Sequence, residues 1–498
     1  MTLSPDDVLA ALKQVWPKSP LPAGLPKLPD QMHIEMNSRK LAKGDIFVAV
    51  PGSQRDGRDF IEQALEAGAA LVLAQGSGSH GDVELDGQVL KLPHLSSRLG
   101  ELGRALYKVP GDMEVIAVTG TNGKSSVTHY IAALSEALGT PAGLVGTLGV
   151  GRPGALSDSG LTTPGPLALQ ATLAELAQQG VKRIALEASS HALDQYRLDA
   201  VNVSVGVFTN LTRDHLDYHG SMAAYAASKA KLFRRSELSL AVVNADHPLA
   251  RLMLAGCSSR VRVLATGQDE AVTLRVLDWQ AFDWGQQAMV ATPDGEKMLR
   301  LKLMGRFNLD NVLLAMAVLY GLGEPLDALF EAAASLMPVP GRMELYGAVG
   351  APSVVVDYAH TPDALTSALQ ALRAHLADAG KLWCVFGCGG ERDTGKRVEM
   401  ARAAEQLADY IVVTDDNPRH ESAEQIREQI LSGFAAVQPM EIGERSDAVA
   451  AAIQQAAAQD VVLIAGKGHE AYQEVKGVRY AYSDSEEIQR AFAQREAQ

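Results

Sequence analysis

Short apolar runs alternate with longer segments of helical periodicity along most of the chain. EVIAVTG (114–120), KRIALEA (182–188) and VSVGVFTN (203–210) are short and mostly apolar, and the first and last are rich in valine, which is typical of buried strands. SSVTHYIAALSEALG (125–139) follows the first run and carries apolar residues at helical spacing. The alternation predicts an α/β fold built on parallel sheets.

Two proline-bearing junctions divide this pattern into three parts. KVPG (108–111) precedes the central strands, and MPVPGRME (337–344) follows them. We therefore predict domains at residues 1–110, 111–340 and 341–498. A chain of 498 residues agrees with this division at roughly 100–200 residues per domain.

The central and C-terminal parts carry further expectations about strand direction. Residues 257–303 are predicted to form a small antiparallel unit. Beyond residue 341, strands such as SVVVDYAH and YIVVTDDNPR end in polar loops before helical segments. This order predicts a doubly wound sheet whose ligands bind beyond the carboxyl ends of its strands.

Charge and composition exclude several classes of protein. Lys and Arg number 45 against 59 Asp and Glu, a net charge of −14, which argues against a nucleic-acid partner. The hydrophobic fraction of 47% excludes wholesale disorder.

Cysteine content and the N-terminal segment bear on location. Cys257, Cys384 and Cys388 cannot form a disulfide framework, and the CxxxC spacing of the last two is not a redox or zinc motif. The N-terminus lacks a basic, apolar leader, and no apolar run approaches the roughly 18 residues of a membrane helix. We expect a cytoplasmic protein without membrane insertion.

A Gly-rich turn between a strand and a helix is the first candidate site. Its residues are Gly120, Thr121, Asn122, Gly123, Lys124, Ser125 and Ser126. Backbone N–H groups in such a turn can surround phosphate oxygens, the lysine can reach the β and γ phosphates, and the Ser125 hydroxyl can bind Mg²⁺. The match is GxxGKS, because Val118 stands where the strict phosphate-loop pattern has a glycine.

Two further side chains follow neighbouring strands. Glu187 ends KRIALEA, and His215 lies in the loop after VSVGVFTN. A carboxylate and an imidazole at this edge of the sheet could hold a second Mg²⁺. From their spacing alone, Lys229 and Lys231 are predicted to be surface lysines on a helix.

Together these segments resemble the Mur ligase family. The resemblance runs from about residue 37 to 484 and rests on Tyr225 with Lys229 and on GTNGKSS (120–126), LTTP (161–164), EASSHALDQYR (187–197), FTNLTRDHLDYHG (208–220), MGRFN (304–308), PGRME (340–344), DYAHTPDAL (357–365), FGCGGERD (386–393), TDDNPR (414–419) and AGKGHE (465–470).

This resemblance implies a fold and a reaction. The fold has a small α/β UDP-binding domain, a central P-loop ATPase-like domain and a C-terminal Rossmann-like doubly wound domain. The reaction is ATP-dependent and ADP-forming, and it adds meso-2,6-diaminopimelate to the D-glutamyl carboxylate of UDP-N-acetylmuramoyl-L-alanyl-D-glutamate through an acyl phosphate. This is a step of peptidoglycan precursor synthesis, performed by a monomer with two Mg²⁺ ions.

The resemblance also implies roles for individual residues. The catalytic residues are Lys124, Glu187, His215 and Lys229, and the metal-site residues are Ser125, Glu187, His215 and Lys229, the last as a CO₂-derived carbamate. ATP contacts beyond the phosphate loop are Asn308, Arg342 and Asp357. The UDP-substrate contacts are Ser38, Ser53, Gln54, Thr162, Thr163, Ser189, Gln195 and Arg197. The diaminopimelate contacts are Arg392, Asp416, Asn417, Pro418, Arg419, Gly466 and Glu470.

Arg419 bears on the choice of amino acid. Diaminopimelate differs from lysine by a carboxylate, which a guanidinium can meet with two parallel hydrogen bonds. A surface ion pair is the alternative role for Arg419.

Three other functions stay open. A lysine-adding ligase would lack Arg419, and a folylpolyglutamate synthase-like ligase would not need the segment NSR…GDIFVAVPG (37–52). A regulatory ATP-binding protein without chemistry would not need to retain Lys124, Glu187, His215 and Lys229.

Overall fold

The computed structural model describes residues 1–52, 55–76, 83–282, 284–377, 379–391 and 393–496. These residues form three large sheets and a separate hairpin, with helices against the sheets. The predicted α/β fold class is confirmed. Within the described ranges, no helix is long and apolar enough to cross a membrane.

The first sheet lies before residue 93 and has the strand order β1-β2-β3-β5-β4. Its strands are β1 (Ile34–Glu35), β2 (Ile46–Ala49), β3 (Leu71–Gln75), β4 (Glu84–Asp86) and β5 (Val89–Leu92). The helices are α1 (Pro5–Val15), α2 (Ile61–Glu66) and α3 (Leu95–Tyr107), with a 3₁₀ turn at Gly57–Phe60. Successive β3 side chains face opposite sides, so Leu71 and Leu73 pack with α1 and α3 while Val72 and Ala74 pack with α2.

The central sheet has the order β16-β15-β14-β13-β12-β11-β6-β10-β7-β8-β9. Its strands are β6 (Glu114–Thr119), β7 (Ala142–Gly146), β8 (Gly149–Arg152), β9 (Ala155–Ser157), β10 (Arg183–Glu187), β11 (Val203–Phe208), β12 (Leu240–Asn244), β13 (Arg262–Gly267), β14 (Leu274–Phe282), β15 (Gly285–Thr292) and β16 (Gly295–Leu301). Its helices are α4 (Lys124–Ala137), α5 (Pro166–Gln178), α6 (Ser190–Asp194), α7 (Leu216–His219), α8 (Met222–Ala230), α9 (Ala250–Leu254), α10 (Arg306–Gly321) and α11 (Leu326–Ala333), with a 3₁₀ turn at Lys231–Arg234.

Strand β6 lies between β10 and β11 in the central sheet. It pairs in parallel with β10 on one side and β11 on the other. Ile116 and Val118 pack on the face that carries α4 and α10, whereas Val115 and Ala117 pack on the face that carries α5 and α8. The carboxyl ends of β10, β6 and β11 therefore meet at one edge of the sheet.

The prediction of an antiparallel unit at 257–303 is wrong for its first strand. Strand β13 pairs in parallel with β12 and continues the main sheet. In the described part of this segment, β14 pairs with β15 and β15 pairs with β16 in antiparallel fashion. Strands β14, β15 and β16 therefore extend the central sheet, and their buried side chains pack in the same core as α4 and α10.

The C-terminal sheet has the order β17-β18-β22-β19-β20-β21. Its strands are β17 (Glu344–Tyr346), β18 (Ser353–Asp357), β19 (Leu382–Phe386), β20 (Tyr410–Val413), β21 (Met440–Glu441) and β22 (Val461–Ala465), and the hairpin strands are β23 (Tyr472–Val475) and β24 (Val478–Ala481). The helices are α12 (Pro362–His375), α13 (Gly395–Leu407), α14 (Ala423–Leu431), α15 (Arg445–Gln455) and α16 (Asp484–Glu496).

This last sheet is doubly wound, as predicted. Strands β18, β22, β19, β20 and β21 run parallel, and β17 is an antiparallel edge. Helices α12, α13 and α14 cover one face, and α15 and α16 cover the other. The predicted boundaries at residues 110 and 340 lie between the three sheets.

Candidate active site

The Gly-rich turn lies between β6 and α4. Gly123 has a left-handed φ of 83°, and a Cβ on Gly120 would lie 1.8 Å from Oγ1 of Thr209. Nζ of Lys124 donates hydrogen bonds to the carbonyl oxygens of Gly120 (3.0 Å) and Thr121 (2.8 Å). Burial lowers the pKa of Lys124. The turn therefore has the close backbone packing and the lysine that a phosphate loop needs.

Residues that sequence analysis did not select hold this turn in place. Oδ1 of Asn210 accepts a hydrogen bond from the Asn122 N–H (2.9 Å), and the Thr209 hydroxyl donates to the Asn122 carbonyl (2.6 Å). Asn311, on α10, packs so closely that its Oδ1 would lie 2.6 Å from a Cβ on Gly123. Thr209 and Asn210 could have been predicted from the sequence because they directly follow β11, which pairs with β6.

Glu187 and Ser125 meet beside the phosphate loop. Oε1 of Glu187 accepts hydrogen bonds from the Ser125 hydroxyl (2.8 Å) and the Thr147 N–H (2.9 Å), and Oε2 accepts one from the Thr147 hydroxyl (3.1 Å). The Glu187 side chain is buried. Carboxylate and hydroxyl oxygens are ligands that suit Mg²⁺.

The donor set fits a magnesium ion that takes few ligands from the protein. No group of three or more His, Cys, Asp or Glu side chains in the described ranges could hold a metal ion. Mg²⁺ at nucleotide sites usually binds one or two carboxylates, substrate phosphates and water. Ser125 and Glu187 meet that requirement.

Lys229 is buried, so the surface position predicted from spacing alone is wrong. Its side chain is 1% exposed, and its Nζ donates a hydrogen bond to the Gly120 carbonyl (2.7 Å). Nζ also lies 4.6 Å from the centre of the Tyr225 ring. Burial, assisted by the charge of Lys124, lowers the pKa of Lys229 well below its ordinary value. A buried, readily neutral amine therefore lies directly behind the phosphate loop.

His215 lies at the same edge of the sheet. Its Nε2 is 3.4 Å from Oδ2 of Asp214, and its ring centre is 4.9 Å from that of His191. Burial lowers the pKa of His215 to about 4, with Asp214 opposing the shift and the charges of Lys124 and Lys229 contributing to it. The imidazole is therefore neutral near pH 7, the form that can donate an electron pair to a metal.

Arg342 and Asp357 reach this region from beyond residue 340. Nη2 of Arg342 lies 3.5 Å from the Ser125 hydroxyl oxygen, and its guanidinium carbon is 4.3 Å from the centre of the Tyr358 ring. Among the described residues, the buried Nε of Arg342 has no hydrogen-bond partner. Asp357 accepts a hydrogen bond from the Met343 N–H (2.9 Å), and burial raises the pKa of its carboxyl group.

Asn308 is held by the protein itself. Its Oδ1 accepts a hydrogen bond from the Tyr130 hydroxyl (3.1 Å), and its Nδ2 donates one to the Met304 carbonyl (2.9 Å). The first of these bonds joins α10 to α4, and the second is local to the start of α10. The predicted ATP contact of Asn308 stays a prediction, beside this observed structural role.

The residues predicted to contact the muramoyl dipeptide form one network behind Glu187. The Thr163 hydroxyl donates to the Glu187 carbonyl (2.6 Å) and lies 3.2 Å from the Ser189 hydroxyl. Arg197 donates to the Thr163 carbonyl (2.9 Å) and to Oε1 of Gln195 (2.6 Å). Thr162 joins the same group through the Thr147 hydroxyl, 3.0 Å away.

On the C-terminal sheet, the loops after β20 and β22 meet. Nδ2 of Asn417 donates a hydrogen bond to Oε2 of Glu470 (2.8 Å). Lys467, which sequence analysis did not select, is fully buried and donates to Oδ1 of Asn417 (3.0 Å) and to Glu470 (3.1 Å). A Cβ on Gly466 would lie 2.7 Å from Oδ2 of Asp416. Four of the predicted contacts, Asp416, Asn417, Gly466 and Glu470, thus lie in one packed group.

Arg419 lies at the edge of this group, after Pro418. Its Nη1 donates to the Gly390 carbonyl (2.7 Å), and the side chain is half-buried. Among the described residues, no carboxylate lies within 4.0 Å of its guanidinium nitrogens. The surface ion pair considered as the alternative role is therefore not observed there.

The remaining predicted residues lie elsewhere. The Ser38 hydroxyl donates to Oε1 of Gln63 (3.0 Å) on the exposed surface of the first sheet's unit. Ser126 is buried in the first turn of α4. Ser53, Gln54 and Arg392 lie outside the described residues.

Three family models match the chain. Residues 32–107 match the "Mur ligase family, catalytic domain", residues 118–319 the "Mur ligase middle domain", and residues 341–468 the "Mur ligase, glutamate ligase domain". Together they span the three sheets.

Several curated proteins and solved structures are similar over nearly the whole chain. The UDP-N-acetylmuramoyl-L-alanyl-D-glutamate–2,6-diaminopimelate ligase of Pseudomonas aeruginosa is 46% identical over 472 residues, 92% of this chain and 94% of that protein. The ligase of the same name from Xanthomonas campestris is 46% identical over 455 residues, 90% of this chain and 91% of its own. A solved ligase of that name is 35% identical with a TM-score of 0.68, covering 93% of this chain and 95% of its own.

A more distant structure shares the fold. The MurF ligase from Thermotoga maritima, solved in complex with ADP, is 19% identical with a TM-score of 0.65 and covers 93% of this chain and 97% of its own.

Proposed function

Because the chain belongs to the Mur ligase family, we propose that it joins meso-2,6-diaminopimelate to UDP-N-acetylmuramoyl-L-alanyl-D-glutamate. The reaction consumes ATP, releases ADP and phosphate, and serves peptidoglycan precursor synthesis. One observation carries the proposal: Ser125 and Glu187 meet at 2.8 Å beside a phosphate loop, with a buried lysine directly behind it.

The chemistry requires an activated carboxylate. A free carboxylate is a poor acylating agent, so the γ-phosphoryl group of ATP is first transferred to the D-glutamyl carboxylate, giving an acyl phosphate. The amine of diaminopimelate then attacks the acyl carbon, and phosphate leaves as the tetrahedral intermediate collapses. The amide bond forms, the C–O bond to phosphate breaks, and the amine loses a proton.

Positive charge has to gather where two anions react. The backbone N–H groups of residues 120–126 and the ammonium of Lys124 bind the phosphates. Ser125, Glu187 and His215 would hold Mg²⁺, which offsets the repulsion between phosphate and carboxylate when bound. Arg342 adds a guanidinium from beyond residue 340, and its buried Nε, which lacks a hydrogen-bond partner among the described residues, supports that role. Asp357 and Asn308 complete the proposed ATP contacts.

Lys229 carries the proposed carbamate. Its neutral Nζ attacks CO₂, a nitrogen–carbon bond forms, and Nζ releases a proton, leaving an anion suited to a second Mg²⁺. The burial of Lys229 and its lowered pKa support this step, because an ordinary lysine is protonated at neutral pH. In ¹³C-labelled bicarbonate, the protein should show a carbamate carbon resonance by NMR that is absent from Lys229→Met.

The UDP-substrate spans the first and central parts of the molecule, and diaminopimelate takes the C-terminal part. We assign residues 1–110, with Ser38, Ser53 and Gln54, to the UDP moiety, and Thr162, Thr163, Ser189, Gln195 and Arg197 to the muramoyl dipeptide. Residues 111–340 bind ATP. Residues 341–498 bind diaminopimelate through Arg392, Asp416, Asn417, Pro418, Arg419, Gly466 and Glu470.

Arg419 supports diaminopimelate over lysine. The Gly390 carbonyl accepts a hydrogen bond from one N–H group of the Arg419 guanidinium, and no carboxylate among the described residues pairs with that guanidinium. The other N–H donors of Arg419 are therefore available to the distal carboxylate of diaminopimelate. We also propose a cytoplasmic monomer, because ATP and a nucleotide sugar are cytoplasmic metabolites and the proposed site draws on one chain.

The deciding experiment measures phosphate release with ATP, Mg²⁺ and the UDP-dipeptide, comparing diaminopimelate, lysine and no amino acid. Release only with diaminopimelate supports the proposal. Release with lysine instead keeps the ligase and overturns the specificity. Release without an amino acid indicates a regulatory ATPase, and no release with either amino acid overturns the proposed reaction.

A further inference from the structure

The hairpin formed by β23 and β24 packs against the loop at 416–419. It pairs with none of the three sheets within the described residues, and a lone two-stranded hairpin is marginal in water. Its backbone and one of its side chains bond to the loop instead. The two segments therefore form one local unit, although more than 50 residues of chain separate them.

Gln473 makes the side-chain contact of this unit. Its Nε2 donates a hydrogen bond to the Asp416 carbonyl (2.8 Å), at the start of the loop. One residue later, the Glu474 N–H donates to Oδ1 of Asn417 (2.9 Å), the oxygen that also accepts from Lys467. The hairpin thus fixes the first two residues of the loop.

The same hairpin holds the backbone of Arg419 at both ends. The Arg419 N–H donates to the Glu474 carbonyl (3.0 Å), and the Lys476 N–H donates to the Arg419 carbonyl (2.6 Å). Arg419 has a left-handed φ of 54°, a conformation that arginine disfavours. The two bonds therefore hold a backbone conformation that arginine adopts only rarely.

That conformation decides where the guanidinium lies. Nη1 of Arg419 is so close to the backbone of Gly389 that a Cβ there would lie 2.9 Å away, and it donates to the neighbouring Gly390 carbonyl. A change in the φ of Arg419 would swing the whole side chain away from these glycines. The position of the guanidinium therefore depends on the hairpin.

We propose that the hairpin is a specificity element of the amino-acid site and that Gln473 is a positioning residue for Arg419. Gln473 anchors the hairpin to the loop, and the hairpin presents the guanidinium to the carboxylate that distinguishes diaminopimelate from lysine. This inference rests on the proposed function, because it assumes that Arg419 meets the substrate.

The test uses Gln473→Met, which keeps the length of the side chain and removes the donor. Loss of one hydrogen bond predicts a rise of about two- to tenfold in the KM for diaminopimelate. The KM values for ATP and the UDP-dipeptide should stay at wild-type values, and the preference for diaminopimelate over lysine should fall by the same factor. Gln473→Glu, which places a carboxylate against the Asp416 carbonyl, should raise the KM further.

Gln454→Met is the matched control. Its Nε2 donates to the Ala491 carbonyl (3.2 Å) between α15 and α16, away from the loop. It should lose a similar bond and keep both the KM for diaminopimelate and the preference over lysine.

Two results would overturn the role of Gln473: wild-type selectivity in both Gln473 variants, or an equal rise in all three KM values. Failure of the wild-type protein to use diaminopimelate would instead overturn the proposed function on which the inference rests.

Discussion

Replacing Arg419 with alanine tests the amino-acid specificity directly. The variant removes the guanidinium but leaves the loop's bonds to the hairpin, which involve the backbone of Arg419. The Gly390 carbonyl loses its partner, and water can enter the space left by the half-exposed Arg419 side chain to replace it. The loop should therefore keep its position while the substrate carboxylate loses its partner.

The expected magnitude follows from the kind of contact that is lost. A hydrogen bond to a charged group is worth about 1.5–3 kcal/mol, which corresponds to roughly a 10- to 150-fold rise in the KM for diaminopimelate. Lysine has no distal carboxylate, so any weak use of lysine should change little. Arg419→Lys should fall between the two, because an ammonium keeps the charge without the planar pair of donors.

Phosphate release at varied diaminopimelate, with ATP and the UDP-dipeptide saturating, measures the effect. Arg373→Ala is the control: Arg373 also donates to a backbone carbonyl, that of Leu407 (3.0 Å), and pairs with Asp409, which directly precedes β20. An unchanged KM for diaminopimelate in Arg419→Ala would refute the reasoning, as would an equal rise in Arg373→Ala.

Three further predictions test other parts of the site. Glu187→Gln should lower kcat/KM by about 100-fold or more without unfolding the protein, as phosphate release across a Mg²⁺ titration would reveal, because it removes the charge that faces Ser125. Gly341→Ala should destabilise the protein by about 1–3 kcal/mol in thermal melting and raise the KM for diaminopimelate, since its Cβ would lie 2.2 Å from the His469 nitrogen at a φ of 66°. Burial lowers the pKa of His469 to about 4, so between about pH 6.5 and 4 the unfolded chain binds more protons than the folded protein. The stability of the protein should therefore fall as the pH drops through that range. His469→Gln should flatten this dependence of melting temperature on pH, and an unchanged slope would contradict the assignment.

The contact between Ser125 and Glu187 was foreseeable because both residues follow strands of a parallel sheet. Carboxyl ends of parallel strands share an edge, so two strand-end residues converge if their strands are neighbours. The apolar pattern of the sequence does not show, however, which strands are neighbours in the sheet. Asn210 and Thr209 were therefore missed as anchors of Asn122, although they follow β11 directly.

Burial of single polar residues was the least predictable feature. Lys229 lies on α8 with the spacing of a solvated lysine, and only its packing against Gly120 and Tyr225 makes it an interior group. Lys467 is hidden in the same way between Asn417 and Glu470. The mistaken direction of β13 has a related cause, since the same apolar pattern suits a strand that continues a parallel sheet and a strand that begins an antiparallel hairpin.

Arg342 links the start of the third part of the molecule to the phosphate loop. Arg342 lies in the proline-bearing junction at residues 337–344, and its Nη2 is 3.5 Å from the Ser125 hydroxyl of the phosphate loop. The adjacent Gly341 packs against Gly468 and His469, in the loop that also carries Glu470. A shift of the C-terminal sheet would therefore move Arg342 together with the loop that carries Glu470. Under the proposed function, the ATP contact of Arg342 and the amino-acid contact of Glu470 therefore depend on the same placement of the C-terminal sheet.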